Sequence, residues 1–200
     1  MLSEEKINVN YLQYISKLQH YNCYSEEMIN DIGDRLKTAP YSKTTIDGGC
    51  YDGGLIDVTL FTLCRNGVIL NNQFKEQTPH MYVNNDMLVR TLLLLGISKS
   101  VMFEKETEAW KIRKGELYRF SEDGKIFLTR GERSVFMCNK YGIHLEEDEF
   151  AAILISDNND ESLKRTYVSP LCAIVNATIN LTRTSLRVDA MLKNSNGSTI

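Results

Sequence analysis

The chain has 200 residues, 42% of them hydrophobic and 24% charged, which suits one ordinary domain with a buried core and excludes disordered and collagen-like classes. Its 23 Lys plus Arg stand against 26 Asp plus Glu, a formal charge of −3. No basic block is available to neutralise a phosphate backbone, so no direct nucleic-acid partner is expected.

In chain order, Ile7, Tyr11, Tyr14, Ile15 and Leu18 form a helical stripe behind a Ser3 cap, and Ser25, followed by two glutamates, caps a second stripe of Met28, Ile29, Ile32 and Leu36 that ends before Pro40. A Gly- and Asp-rich stretch, Asp47 to Gly54, leads into a predicted helix over Leu55 to Leu63. Asn85 or Asp86 caps another helix through Leu95. From Trp110 to Arg133 the helical pattern breaks. Glu116 to Ser121 and Lys125 to Arg130 read as strands joined at Asp123-Gly124, a dipeptide that tolerates positive φ. Helices resume over Ser134 to Lys140, Glu146 to Ile155 and Ser169 to about Thr184, and residues 193–200 have linker composition. The predicted fold is mainly α: a single helical domain over 1–192 with one inserted β-hairpin near 116–130, then a polar tail.

The N-terminal residues lack the basic start and apolar stretch of a signal peptide, and no apolar run approaches the ~20 residues of a membrane span. A cytoplasmic location away from membranes is the expectation. Cys23, Cys50, Cys64, Cys138 and Cys172 are odd in number, widely spaced and without a CxxC pair. They read as reduced thiols in or near the core.

Isolated residues offer little chemistry. His20, His80 and His144 form no ligand pattern, and Ser42, Ser98 and Cys50 have no recognisable base or elbow. Gly48-Gly49 and Gly53-Gly54 belong to no phosphate-loop motif and read as tight turns. Trp110, Tyr118, Phe120 and Phe127 suit either a contact patch or hairpin packing against the helices.

Four segments in order carry more: Ala39-Pro40-Tyr41-Ser42, Tyr51 to Leu60 with its Gly53-Gly54-Leu55, Leu93 to Lys99, and Glu149-Phe150-Ala151-Ala152-Ile153. Over roughly residues 28–185 the chain resembles the HD-domain metal-dependent phosphohydrolases, nearest to their small prokaryotic and phage-encoded members. The family pattern runs AP-x-S, GGL-x-x-H, LLHD-x-GK, E-x-x-AI-x-x-HD, then AD in the last helix. Trp110, Tyr118 and Gly131-Glu132-Arg133-Ser134 also resemble that subgroup.

The resemblance implies a frame that has lost its ligands. Val58 stands at the first histidine, Leu95 and Gly96 at the His-Asp pair, Ser156 at the later histidine and Thr178 at the last aspartate, while Asp157 is retained. Valine, leucine and glycine side chains supply no donor to a hydrolytic metal, so the expectation is no metal, no cofactor and an apolar interior where the metal would sit. Apolar residues pack as core where unmetallated histidines and carboxylates would repel one another. Lys99 occupies the family's lysine position, to meet an anion or to complement a helix C-terminus.

On this reading the protein is a catalytically inactive binding or assembly module with protein partners, homo-oligomeric or in a larger complex. By analogy with the phage members, a ring inside a virion is the concrete form, placing it in the host cytoplasm and the particle. Two alternatives compete. One is an active phosphohydrolase with relocated ligands Asp52, Asp57, His80 and Asp157; the other is a nucleotide or anion sensor built on Lys99 and the Gly48 to Gly54 loop.

Overall fold

Serine caps start the first two helices. Ser3 accepts a hydrogen bond from the Lys6 amide ahead of α1 (Glu4–His20), and Ser25 does the same for Met28 ahead of α2 (Glu26–Thr38). Paired glutamates in each first turn suit the positive end of the helix dipole. The computed structural model describes residues 2–122, 128–156 and 169–196. In it the two helices bury the expected stripes, with Tyr14, Leu18, Met28, Ile32 and Leu36 almost wholly enclosed.

The helix expected over Leu55 to Leu63 runs further. α3 (Gly54–Val58) passes through one π-helical turn, Thr59–Leu63, into α4 (Cys64–Gln77) without a break in direction of pairing. α5 (Asn85–Leu94) is capped by Asn84, one residue before the expected pair, and buries Leu88, Val89, Leu92, Leu93 and Leu94. A helix apolar on so many sides belongs at the centre of a bundle. It packs between α4 and α9 (Glu147–Ile155), and α10 (Pro170–Asn196) closes over α4 and α9. α8 (Arg130–Lys140) lies against α9. A methyl group at Gly131 would come within 2.6 Å of the Leu154 carbonyl oxygen, so only glycine permits that approach.

The fold is mainly helical with one small two-stranded antiparallel sheet, as the sequence predicts, but the strand pairing is different. β1 (Phe103–Lys105) pairs with β2 (Tyr118–Phe120), with the short helix α7 (Ala109–Arg113) in the connection. Cross-strand contacts explain the choice: Phe103 and Phe120 rings lie 5.4 Å apart and Arg119 bonds Glu104 at 2.9 Å. The expected turn at Asp123-Gly124, and Lys125 to Phe127, lie outside the described residues. Arg130, assigned to a strand from sequence, is the first residue of α8, because Thr129 and Glu132 form a capping box there. Likewise α10 continues past Thr184 to Asn196, so residues 193–196 of the expected tail are helical; 197–200 lie outside the described residues.

All five cysteines are buried free thiols. Burial pushes Cys23, Cys64 and Cys138 up to about 12 and Cys50 up to about 11, which leaves them protonated and unreactive at neutral pH. Among the described residues no helix is long and apolar enough to cross a membrane.

The loop 39–54 is held by backbone bonds that bring Gly54 against Gly49: the Tyr41 amide donates to the Gly49 carbonyl and the Leu55 amide to the Ala39 carbonyl, each at 2.9 Å. A methyl group on Gly54 would overlap the Gly49 carbonyl oxygen and stand 3.3 Å from the Tyr41 nitrogen. Gly54→Ala is therefore expected to destabilise the protein by about 1–3 kcal/mol, the range for overpacking a close contact, read from chemical denaturation.

Candidate functional site

Between Pro40 and Gly54 the chain turns on residues that only glycine suits. Gly48 has φ 72°, and a methyl group there would lie 2.7 Å from Leu186 Cβ on α10. Gly49 has φ 66°, and a methyl group there would meet Tyr41 and, at 3.1 Å, Val58 Cγ2. The loop is thus pressed against α3 on one side and α10 on the other. The Ser42 hydroxyl is within hydrogen-bonding distance of the Thr44 and Gly48 carbonyls inside it.

Next to this loop opens a cavity of about 680 Å³. Its walls carry five cations, Lys43 from the loop, Lys99 from α6 (Lys99–Met102), Arg130 from the start of α8, and Arg183 and Arg187 from α10. One carboxylate, Asp47, lines it too, together with the rings of Tyr41, Phe103 and Phe120. Asn180, Arg183, Thr184 and Arg187 reach it from a single face of α10, as spacings of three and four residues require.

Lys99 is only 8% exposed. Its Nζ donates to the Tyr41 carbonyl at 2.8 Å and sits 3.4 Å from the centre of the Tyr41 ring, so a carbonyl dipole and an aromatic face offset its lost hydration. It begins the single turn of α6. Lys43 Nζ lies 5.7 Å from the centre of the Phe120 ring. Arg187 donates through Nε and Nη2 to Asp47 Oδ1 at 3.0 and 2.9 Å, and the Thr44 hydroxyl donates to Asp47 Oδ2 at 2.6 Å. Burial pushes the Asp47 carboxyl up, but the bonds from Thr44 and Arg187 and the charges of Arg187 and Lys43 outweigh it and hold it below the usual carboxylate value.

The positions that the resemblance marks lie mostly in packed interior. Val58 is 2% exposed and belongs to the main apolar cluster, with Leu95 packed against its edge. Gly96 faces Leu55: a methyl group there would be 3.0 Å from Leu55 Cδ1. Thr178 is fully buried, but beside Gly67, which is about two and a half turns along the helix from Val58, so the two do not share one pocket. Ser156 ends α9 and donates to the Ile153 carbonyl, while Asp157 lies outside the described residues.

Of the relocated-ligand set Asp52, Asp57, His80 and Asp157, the three described members do not form a metal-holding group, and Asp157 lies outside the described residues. Asp52 accepts bonds from Lys105 and Tyr118, Asp57 from Asn10 and Tyr51, and His80 is exposed in the turn Pro79–Met81. Among the described residues no group of three or more His, Cys, Asp or Glu side chains is placed to hold a metal. His144 stands 3.8 Å from Glu146 at the surface. Ser98 is buried and bonds the Arg130 carbonyl and Ser134, a packing role that joins α6 to α8. Of the aromatics, Tyr118 is buried, Trp110 and Phe120 are half exposed, and Phe127 lies outside the described residues.

Sequence reasoning finds Lys99 and the Gly- and Asp-rich loop that begins at Asp47 but misses Lys43, Arg130, Arg183 and Arg187. The last two, with Asn180 and Thr184, form a polar helical stripe that periodicity could have revealed. Comparison with family models, curated proteins and solved structures gives no match.

Placing a charge at Val58 would put an unpaired carboxylate in the apolar cluster. Val58→Asp is expected to lower stability by roughly 2–5 kcal/mol by urea denaturation, whereas Val58→Leu should cost less than about half of that.

Proposed function

We propose that the chain is a binding module for a multiply charged, anionic small molecule, which it holds without hydrolysing. The observation that carries the reading is the convergence of five cations and one carboxylate on a cavity of about 680 Å³, a size typical of small-molecule sites. The chain as a whole is acidic, at −3, so this local concentration of positive charge is a property of the fold. Mutual repulsion among the cations is relieved by an anion, and arginine forks favour the planar oxygen pairs of phosphates and carboxylates. The aromatic rings give such a ligand an apolar wall. The HD-like frame fits this reading as a scaffold whose ligand positions have been turned over to packing; Val58, Leu95 and Gly96 offer no donor for hydrolytic chemistry.

Pyrophosphate is the test probe. Calorimetric titration at low salt is expected to show binding that weakens with added salt, and Lys43→Gln with Arg183→Gln should reduce the affinity by about tenfold for each charge-assisted bond removed. Lys43→Gln removes one charge acting on Asp47, but both changes leave in place the two Arg187 bonds to Asp47. Absence of binding by the unaltered chain, or the same affinity in the double variant, refutes the reading.

A second reading, self-assembly, has one observation in its favour. α10 exposes Leu181, Val188 and Leu192 along one stripe, with Met191 beside them, each about half exposed. A second copy of the chain is the partner this would fit. Sedimentation should then show a concentration-dependent dimer or larger species that Val188→Ser with Leu192→Ser dissociates, and a monomer at every concentration counts against it.

A further inference from the structure

A carboxylate is an unexpected wall for an anion to meet, and Asp47 is the only one among the residues lining the cavity. Ionised, it is acceptor-only, with about four lone-pair sites on its two oxygens. Arg187 Nε and Nη2 and the Thr44 hydroxyl occupy three of them. The side chain lines the cavity and remains 36% exposed, with Oδ2 accepting one hydrogen bond where Oδ1 accepts two. A fully deprotonated oxyanion brought to it meets only repulsion. An oxyanion that still carries a proton donates that proton and turns the same contact into a charge-assisted hydrogen bond.

We propose that Asp47 selects the ligand of this cavity: an oxyanion bearing a proton, namely phosphate or a phosphate monoester, in preference to sulfate. The proposal rests on the cavity being an anion site. A phosphate monoester loses its second proton with a pKa of about 6, so about half of it is protonated near that pH. Sulfate has no proton to give there. Asp47 also positions Arg187, since two of its N–H groups are committed to one carboxylate oxygen. The guanidinium is thereby fixed as part of the wall.

The sign of the pH dependence separates this from simple charge attraction. The groups facing Asp47 are Arg187, Lys43, Thr44 and the Cys50 thiol, the last pushed up to about 11 by burial. The remaining charged lining residues are Lys99, Arg130 and Arg183, and no histidine is among the lining residues. Between about pH 6 and 8 a phosphate monoester becomes a dianion without a proton, while inorganic phosphate also gains charge but still carries one proton. Attraction alone would therefore tighten binding of the monoester as pH rises, whereas a required proton makes its binding weaken.

The experiment is calorimetric titration of the full chain with inorganic phosphate, phenyl phosphate and sulfate, at about pH 6 and pH 8. Phosphate and phenyl phosphate are expected to bind about tenfold more tightly than sulfate at the lower pH, the order of one hydrogen bond to a charged group; phenyl phosphate loses that advantage at the higher pH, and inorganic phosphate, which still carries a proton there, keeps it. In Asp47→Asn the preference should vanish, mainly because sulfate binds better. Tighter binding of phenyl phosphate than of phosphate identifies a monoester as the ligand; the reverse identifies free phosphate. Equal affinities for phosphate and sulfate in the unaltered chain, or phenyl phosphate binding that strengthens from pH 6 to 8, overturns the proposal. Failure of all three anions and of pyrophosphate overturns the anion-site reading along with it, while pyrophosphate binding without phosphate preference overturns the selectivity alone. The pH series on the unaltered chain decides the matter even if Asp47→Asn folds poorly.

Discussion

The glycine loop between Pro40 and Gly54 can lie where it does only because three of its residues have no side chain. Gly48 touches the α10 backbone at Leu186, Gly49 touches Tyr41 and Val58, and Gly54 touches Gly49. From these contacts follow the placement of the Tyr41 carbonyl that receives Lys99, the position of Asp47 opposite Arg187, and the sealing of Val58 from solvent. A chain that could not close this loop would have neither the basic cavity nor the apolar interior beside it.

Those two regions are adjacent and chemically opposite. Where the resemblance to metal-dependent hydrolases would place a polar, metal-bearing centre, the protein has Val58 and its neighbours packed as core. Buried donors without a metal leave unsatisfied charge in low dielectric, and side chains that need no partner remove that cost. The cations sit one layer outward. Lys99 and Tyr41, both in the motif segments, belong to both settings: each lies under the surface yet lines the cavity, and the lysine is held there by the tyrosine's ring and carbonyl.

What could be read from sequence was what neighbouring residues decide. Ser3 and Ser25 start helices because a cap acts within one turn, and the buried faces of α1 and α2 follow from apolar spacing alone. The β1 partner of Tyr118 to Phe120 was not legible, since it lies beyond α7, where the Phe103 and Phe120 rings meet across the pair. The cavity was hidden for the same reason: Lys43, Arg130 and Arg187 are far apart in the chain from one another and from Lys99, and each of the three in its own segment is an unremarked surface-type residue. Nothing local announces that they will share a space.

The π-helical turn Thr59–Leu63 has a consequence for phase. A π turn accommodates one residue more than an α turn, so everything downstream is rotated by about 100° relative to an unbroken α-helix. The face that α4 offers to α5 and α10, including Gly67 against Leu92 and Thr178, is correct only with that extra residue in place. The turn works as an angular offset between the half of the rod that seats the glycine loop and the half that seats the bundle. Losing one residue there would straighten the hydrogen-bond ladder and at the same time turn Gly67 and Asn71 away from the interior, so the locally more regular helix would be the globally wrong one.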